Sequence, residues 1–271
     1  MSQFIVVPQW QGSDSPRAMQ LMDGAEAIAG DLPAARCTRV EVPLEAGESM
    51  DSGVRRLSAI SHIARNHLDA LEASDDVPVT IGGDASVATT AALWAAHRIS
   101  GGCAVVWFSA HPDLHDPSSS PTGGYTTMAA RALIDDTLPR PLTTTVEPSS
   151  LILAGARAVA SSETEQIIER GIRVVFSDAL EPESLAEYVS GTGASEVFIH
   201  VDLDVLDPAA ISGIADVEPF GIDVATLTDC IRSVRAVANL TGASVTEYAP
   251  SSPAAAVNDL GAILRVIAAL T

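Results

Sequence analysis

Residues 109–116 of the chain, SAHPDLHD, combine imidazole and carboxylate side chains directly after the apolar segment Ala104–Phe108. Side chains alternate along an extended chain, so we expect Ser109, His111 and Asp113 to share one face. A histidine and a carboxylate on one face form a group that can bind a divalent metal ion. This segment is therefore the first candidate for a functional site.

A second acidic pair lies in residues 200–208, HVDLDVLDP, where Asp202 and Asp204 also share one face. Two carboxylates on one face repel each other and lose solvation when buried, so a bound cation is the usual reason for the arrangement. With His111 and Asp113 they form a mixed oxygen and nitrogen set that suits manganese. A single Asp-x-Asp is common in solvated loops, but two acidic pairs at the ends of apolar segments favour a metal site.

Two further segments carry polar groups at predicted strand ends. Residues 81–86, IGGDAS, predict a strand, a tight glycine turn and a helix capped by Ser86. Their spacing matches no phosphate-binding pattern and no lysine follows, which excludes a phosphate loop. Glu247 ends the last predicted strand, and its carboxylate either holds a cationic substrate or is an ordinary surface acid.

The elements that must position these residues alternate between short β-branched segments and Ala- and Leu-rich helical segments, which predicts a doubly wound parallel sheet or a barrel. No linker or repeat divides residues 1–271, so we expect one domain. The predicted strands are Gln3–Val7, Thr38–Val42, Val77–Ile81, Ala104–Phe108, Leu151–Leu153, Arg173–Phe176, Glu196–Asp202 and Ala243–Thr246. The predicted helices are Ser15–Ala29, Val54–Glu72, Ser86–Ile99, Thr127–Asp135, Ser162–Arg170, Pro182–Ser190, Val224–Val237 and Ala254–Leu270. The polar segments His111–Thr127 and Asp204–Phe220 follow strands, where ligands bind in open parallel sheets.

The composition limits the classes of partner. With 35 acidic and 15 basic side chains among 271 residues, the net charge of −20 argues against nucleic acid or an anionic membrane. It fits a metal or a cationic small molecule better, although solubility alone also explains such a charge. The hydrophobic content of 47% excludes a disordered chain. Three scattered cysteines exclude a disulfide framework and a zinc ribbon. No basic leader and no apolar run near the roughly 20 residues of a membrane span occur, which predicts a soluble cytoplasmic protein.

Taken together, the four segments resemble the ureohydrolase family (arginase, agmatinase and relatives) over nearly the whole chain. The family pattern is Gly-Gly-Asp-His-Ser, Asp-Ala-His-x-Asp, Ser-x-Asp-x-Asp-x-x-Asp-Pro and a late Glu, in the same order and at strand ends. The resemblance implies an α/β fold, a three-layer α/β/α arrangement with a mainly parallel sheet of roughly eight strands. It also implies a pair of manganese ions that activate water to attack the guanidinium carbon of a small-molecule guanidino substrate.

The resemblance also assigns roles to single residues. By position, the manganese ligands are His111, Asp113, Asp202 and Asp204. Glu247 is the acid that holds the guanidinium group, and catalysis is assigned to Glu247 and Asp113. The positions near the amino-acid end of the substrate are His115, Thr122 and Glu163, although a loop histidine or a helix-terminal glutamate needs no ligand.

Three positions depart from the family pattern. Ala85 stands where the family has the histidine ligand of the first metal, and Ser109 stands where it has the aspartate that bridges both metals. Thr126 stands where arginases carry the histidine that shuttles protons. Whether these residues are natural or engineered, we expect at most one tightly bound manganese ion and reduced activity. The chain also lacks the long C-terminal tail that ties some arginases into trimers, which predicts a monomer or a weak oligomer.

The missing shuttle favours a substrate whose leaving group needs little protonation. A positioned general acid contributes ~10²–10⁴-fold, and the hydroxylated nitrogen of an N-hydroxyguanidine leaves more readily than an ordinary amine. In this respect the chain resembles the family members of D-cycloserine biosynthesis that convert Nω-hydroxy-L-arginine to hydroxyurea and L-ornithine. The alternative is a metal-poor relative without turnover that acts as a binding or interaction protein. Ala85 and Ser109 favour that alternative, whereas the remaining ligands and Glu247 favour the enzyme.

Overall fold

The computed structural model describes residues 2–99 and 102–271. The strands in these residues are β1 (Ser2–Val7), β2 (Cys37–Arg39), β3 (Val77–Gly82), β4 (Cys103–Phe108), β5 (Leu151–Ala156), β6 (Arg173–Phe176), β7 (Glu196–Asp202) and β8 (Asn239–Thr246). They form one parallel sheet in the order β2-β1-β3-β8-β7-β4-β5-β6. Strands β4 and β5 are buried along their whole length, as expected for parallel strands covered on both faces.

The helices cover both faces of this sheet. They are α1 (Gln20–Gly30), α2 (Leu57–Glu72), α3 (Ser86–Arg98), α4 (Arg131–Ile134), α5 (Ser161–Arg170), α6 (Pro182–Gly191), α7 (Val224–Val237) and α8 (Pro253–Leu270). Helices α1, α6, α7 and α8 share one core, which includes Ile28, Leu185 and Ile231. Helices α2, α3 and α4 share the other, which includes Ile63 and Leu93. This arrangement confirms the three-layer α/β/α fold.

Helix α1 begins at Gln20 rather than at the predicted Ser15. The Ser13 hydroxyl accepts a hydrogen bond from the Ser15 N–H, and the Ser15 hydroxyl accepts one from the Arg17 N–H. Such local side-chain bonds stabilise turns at the expense of helix. The expected start was therefore wrong by about one helical turn.

Two other predicted helices also differ from the structure. Helix α2 begins at Leu57 instead of Val54, because Arg56 has a φ of 59°, outside the right-handed helical region. The predicted helix Thr127–Asp135 is a short 3₁₀ helix over Tyr125–Met128 followed by the single-turn α4. Smaller differences at strand ends occur in β2, which is shorter than predicted, and in β5 and β8, which are longer.

The turn after β3 packs the start of α3 against the segment that follows β1. Gly83 is required here, because a Cβ atom would lie 1.6 Å from the backbone oxygen of Gln9. Ala85 occupies the N-cap position of α3, so the prediction that Ser86 caps this helix was wrong. Ser86 is instead the first helical residue, and its hydroxyl donates to the buried carboxylate of Asp84. The Asp84 carboxylate thereby connects the turn after β3 to the first residue of α3.

By length and composition alone, helix α8 is long and apolar enough to cross a membrane. From the sequence, no segment of this kind was expected. The helix packs against α1 and α7. Its buried Asp259 accepts hydrogen bonds from the backbone N–H groups of Ser212 (3.1 Å) and Gly213 (2.9 Å). These contacts are those of a helix in the core of the α/β/α layers.

Candidate active site

A pocket of about 220 Å³ lies at the carboxyl edge of the sheet, where the neighbouring strands β3, β8, β7 and β4 end. Each of the four polar segments follows one of these strands, so the parallel topology brings them together. Among the described residues that line the pocket, seven are Asp or Glu and none is an arginine. The lining comprises Ser13, Asp14, Ser15, His111, Asp113, His115, Pro121, Thr126, Thr127, Glu163, Asp202, Asp204, Ile214, Ala215, Asp216 and Glu247.

His111 and Asp204 are directly paired in this pocket. The Nδ1 atom of His111 lies 2.8 Å from Oδ2 of Asp204, and the other oxygen of Asp204 accepts a 2.8 Å hydrogen bond from the Ala110 N–H. Burial alone would lower the pKa of His111, but the hydrogen bond and charge of Asp204 outweigh it and raise that pKa to about 10. Burial would raise the pKa of Asp204, but the same contact lowers it. The two side chains therefore form an imidazolium–carboxylate pair at neutral pH.

Asp202 and Asp113 are two more carboxylates buried beside this pair. Oδ1 of Asp202 accepts a 3.0 Å hydrogen bond from the Asp204 N–H, which stabilises a short 3₁₀ turn after β7. Oδ2 of Asp113 accepts a 2.9 Å hydrogen bond from the Trp107 indole N–H. Burial raises the pKa of both carboxyls well above their ordinary range, and the charge of Asp204 adds to the effect at both.

These side chains reach the pocket by turns, not by the alternation of an extended strand. Strand β4 ends before Ser109, and Asp113 adopts a φ of 54°. Ser109 is not among the residues that line the pocket; it is buried, and its Oγ accepts a 3.0 Å hydrogen bond from the His111 N–H. The loop thus brings His111 and Asp113 to one pocket, which Ser109 does not line.

Glu247 reaches the pocket from the end of β8 with a φ of 65°. Its Oε1 accepts hydrogen bonds from the Ala85 N–H (2.9 Å) and from the Thr126 hydroxyl (3.1 Å). Burial, followed by the charge of Asp84, raises the pKa of this carboxyl well above its ordinary range. Ala85 is fully buried in the core and gives the site only its backbone N–H.

His115 and Glu163, which are predicted to bind substrate, both line the pocket. The Nε2 atom of His115 lies 3.8 Å from Oε2 of Glu163. The two carboxylate oxygens of Glu163 also accept hydrogen bonds from the Leu114 N–H (3.0 Å) and the Ala160 N–H (3.1 Å). Glu163 therefore also ties the start of α5 to the loop after β4, which is a structural role.

Thr122, the third residue predicted to bind substrate, does not line the pocket. Its hydroxyl donates a 2.7 Å hydrogen bond to Oδ2 of Asp14, and Asp14 faces the pocket instead. Sequence reasoning missed Asp14, which lies in a polar turn after β1, and Asp216. The signal for Asp216 was present, since the polar segment Asp204–Phe220 follows a strand that ends at the site.

The donor chemistry fits one divalent ion better than two. Ligands about 2.0–2.2 Å from a common ion lie about 3 Å from each other, as His111 and Asp204 do. Within the described residues, however, no three His, Cys, Asp or Glu side chains form a group that could hold a metal ion, so Asp202 does not complete the set as positioned. A second ion fits poorly, because Ala85 presents a methyl group and the Ser109 hydroxyl is bound to the backbone.

Comparison with known proteins gives one family. A model described as the arginase family matches residues 11–268. The arginase of Entamoeba histolytica is 23% identical over 266 residues, which cover 91% of this chain and 90% of that protein. The crystal structure of Entamoeba histolytica arginase in complex with L-ornithine has a TM-score of 0.86 at 19% identity and covers 99% of this chain and 97% of that one. Proclavaminate amidino hydrolase from Streptomyces clavuligerus has a TM-score of 0.76 at 21% identity, covering 99% and 91%.

Proposed function

The chain belongs to the arginase family, and on this premise we propose that it hydrolyses the guanidino group of a small arginine-like substrate. The observation that carries the proposal is the pocket in which Glu247 lies among Asp113, Asp202 and Asp204. Buried carboxylates without a cation are costly, so a pocket of this composition favours a guanidinium group and a divalent ion as its occupants. The related arginase of Entamoeba histolytica was crystallised with L-ornithine, which supports a small ligand of this size.

At most one manganese ion would be held tightly, by His111, Asp202 and Asp204. Its binding would require His111 to release the proton between Nδ1 and Asp204, and Asp202 to move closer than it lies in this structure. The other metal position of the family retains only Asp113 and Asp202, because an imidazole is replaced by Ala85 and a carboxylate by Ser109. A neutral hydroxyl does not offset the repulsion between two dications as a bridging carboxylate does. When bound, the ion would supply a Lewis acid that makes water easier to deprotonate.

The protein side chains then position the substrate and move the proton. The charge of Glu247 pairs with the guanidinium, while its Oε1 stays fixed by the Ala85 N–H and the Thr126 hydroxyl. Asp113 is held by the Trp107 indole through Oδ2, and no described residue donates to its Oδ1. That free oxygen takes the proton from the attacking water and returns it to the leaving nitrogen.

Nω-hydroxy-L-arginine is the favoured substrate because no side chain replaces the missing shuttle. The Thr126 hydroxyl donates to Glu247 and does not ionise near neutral pH, so an amine leaving group receives no second proton beyond the one that Asp113 returns. The hydroxylated nitrogen of an N-hydroxyguanidine is less basic and leaves more readily. The products are hydroxyurea and L-ornithine.

We expect kcat/KM for Nω-hydroxy-L-arginine to exceed that for L-arginine by about tenfold or more, since only arginine needs the absent general acid. The measurement is release of hydroxyurea, urea and ornithine by the manganese-loaded protein. A Thr126→His variant should raise the rate on arginine more than the rate on the hydroxylated substrate. Equal or faster turnover of arginine by the unaltered protein would contradict the assignment.

The second candidate is a metal-poor relative without turnover that acts as a binding or interaction protein. It is favoured by the absence of a three-ligand metal group among the described residues and by the burial of Ala85 and Ser109. The two candidates differ in one readout. A binding protein retains guanidino compounds in equilibrium dialysis but releases no ornithine from either substrate after manganese loading.

A further inference from the structure

A second cavity, of about 250 Å³, lies between α2, α3 and residues 139–141. We call it the arginine cavity, because Arg65 of α2 and Arg140 both line it. None of its described lining residues is Asp or Glu. In a chain with a net charge of −20, this cavity has the opposite character to the acidic pocket described above.

We propose that the arginine cavity binds a small carboxylate with an apolar body. Arg65 is an exposed residue at the mouth of the cavity and forms no ion pair or hydrogen bond with any described residue. Arg140 donates only to the backbone oxygens of Ala132 (3.4 Å) and Thr143 (3.0 Å). Both guanidinium groups therefore lack a carboxylate partner within the described chain, and a carboxylate is the ligand that arginine pairs with most strongly.

A buried hydroxyl supports the same ligand. Thr90 is only 3% exposed, lines the cavity and forms no hydrogen bond with a described residue through its side chain. Its neighbour Thr89 shows the ordinary outcome, because its hydroxyl donates to the Ala129 carbonyl at 2.8 Å. The Thr90 hydroxyl is accessible from the cavity rather than sealed in the core, so a carboxylate oxygen bound there can accept a hydrogen bond from it.

The remaining lining sets the body of the ligand. Five apolar side chains form part of the wall, beside Ser61, Ser86 and Thr89. The Ser86 and Thr89 hydroxyls already donate to Asp84 and to the Ala129 carbonyl, and the Tyr125 ring is fixed by its hydroxyl, which donates to the Pro139 carbonyl at 2.5 Å. A free phosphate would leave oxygens facing apolar carbon, so a branched or aromatic monocarboxylate fits better. The apolar lining residues are Leu57, Ile60, Ala64, Pro139 and Pro141.

Titration of the full chain with benzoate tests the proposal, with benzylamine and inorganic phosphate as matched probes of other charge or shape. We expect saturable benzoate binding by calorimetry that Arg65→Gln and Arg140→Gln each weaken by about tenfold, through loss of a charge-assisted bond. Thr90→Val should weaken it less, and Arg265→Gln, on the exposed side of α8, should leave it unchanged.

Four results of this titration would contradict the proposal. No saturable benzoate binding, equal binding of benzylamine, preference for phosphate, or benzoate binding unaffected by both arginine variants would each overturn the proposal. Binding is read directly and without turnover, so the result does not depend on whether the acidic pocket hydrolyses a guanidine. A Glu247→Gln variant is expected to bind benzoate normally, which separates the two cavities.

Discussion

Replacement of Glu247 by glutamine is expected to lower kcat/KM for the guanidino substrate by about 10²-fold or more, because truncating one partner of a buried charge pair costs ~2–5 kcal/mol. Glutamine keeps an oxygen that can accept from the Ala85 N–H and the Thr126 hydroxyl. What the variant loses is the charge that the guanidinium pairs with. The loss should therefore appear in kinetics, while the midpoint of thermal unfolding stays close to that of the unaltered protein.

The matched control for this variant is Glu165→Gln, which removes the same charge from an exposed position on α5. We expect its kcat/KM to stay close to that of the unaltered protein, because the charge of an exposed side chain is screened by solvent. Full retention of kcat/KM by Glu247→Gln would mean that Glu247 does not hold the substrate. A fall that matches a loss of folded protein would instead show a structural role.

The paired change Ala85→His and Ser109→Asp is expected to raise manganese occupancy and the rate of hydrolysis together, the rate by about 10²-fold or more. The imidazole and the carboxylate replace a methyl group and a hydroxyl, which are poor metal ligands. An aspartate at position 109 can also keep the hydrogen bond from the His111 N–H that Ser109 accepts now. Metal content by mass spectrometry and hydroxyurea release measure the two effects.

The control is Ala85→His with Ser109→Asn, which has the same shape without the bridging charge. It should gain less manganese and less rate than the pair with aspartate. Because Ala85 is fully buried, thermal unfolding must show that each variant still folds. If occupancy rises in the aspartate pair and hydrolysis does not, the lost ligands are not what limits this chain.

Much of the fold was predictable because its strands are apolar runs separated by amphipathic helices. Strands β6 and β7 and helix α7 have the predicted bounds, and the others differ at their ends. The errors occur where local chemistry overrides periodicity. Before α1, serine hydroxyls stabilise turns in place of the predicted first helical turn. Arg56 has a positive φ, so α2 begins after it and not at the predicted Val54.

The site was predictable in its residues but not in its geometry. The motifs place His111, Asp202 and Asp204 at strand ends, and the parallel sheet brings those ends together. The turn after β7, which aims Asp204 at His111, and the positive φ of Asp113 have no signature in the residue types. Ser109 and Thr122 point elsewhere because each side chain bonds to a nearer group. The predicted metal-binding and substrate-binding roles of the other site residues, and that of Thr122, remain predictions.

Anomalous scattering at the manganese edge, from crystals grown after manganese loading, tests the central claim most directly. The account predicts one peak, beside His111, Asp202 and Asp204, with no equal peak beside Asp113. Two fully occupied peaks, or a single peak beside Asp113 and far from His111, would contradict it.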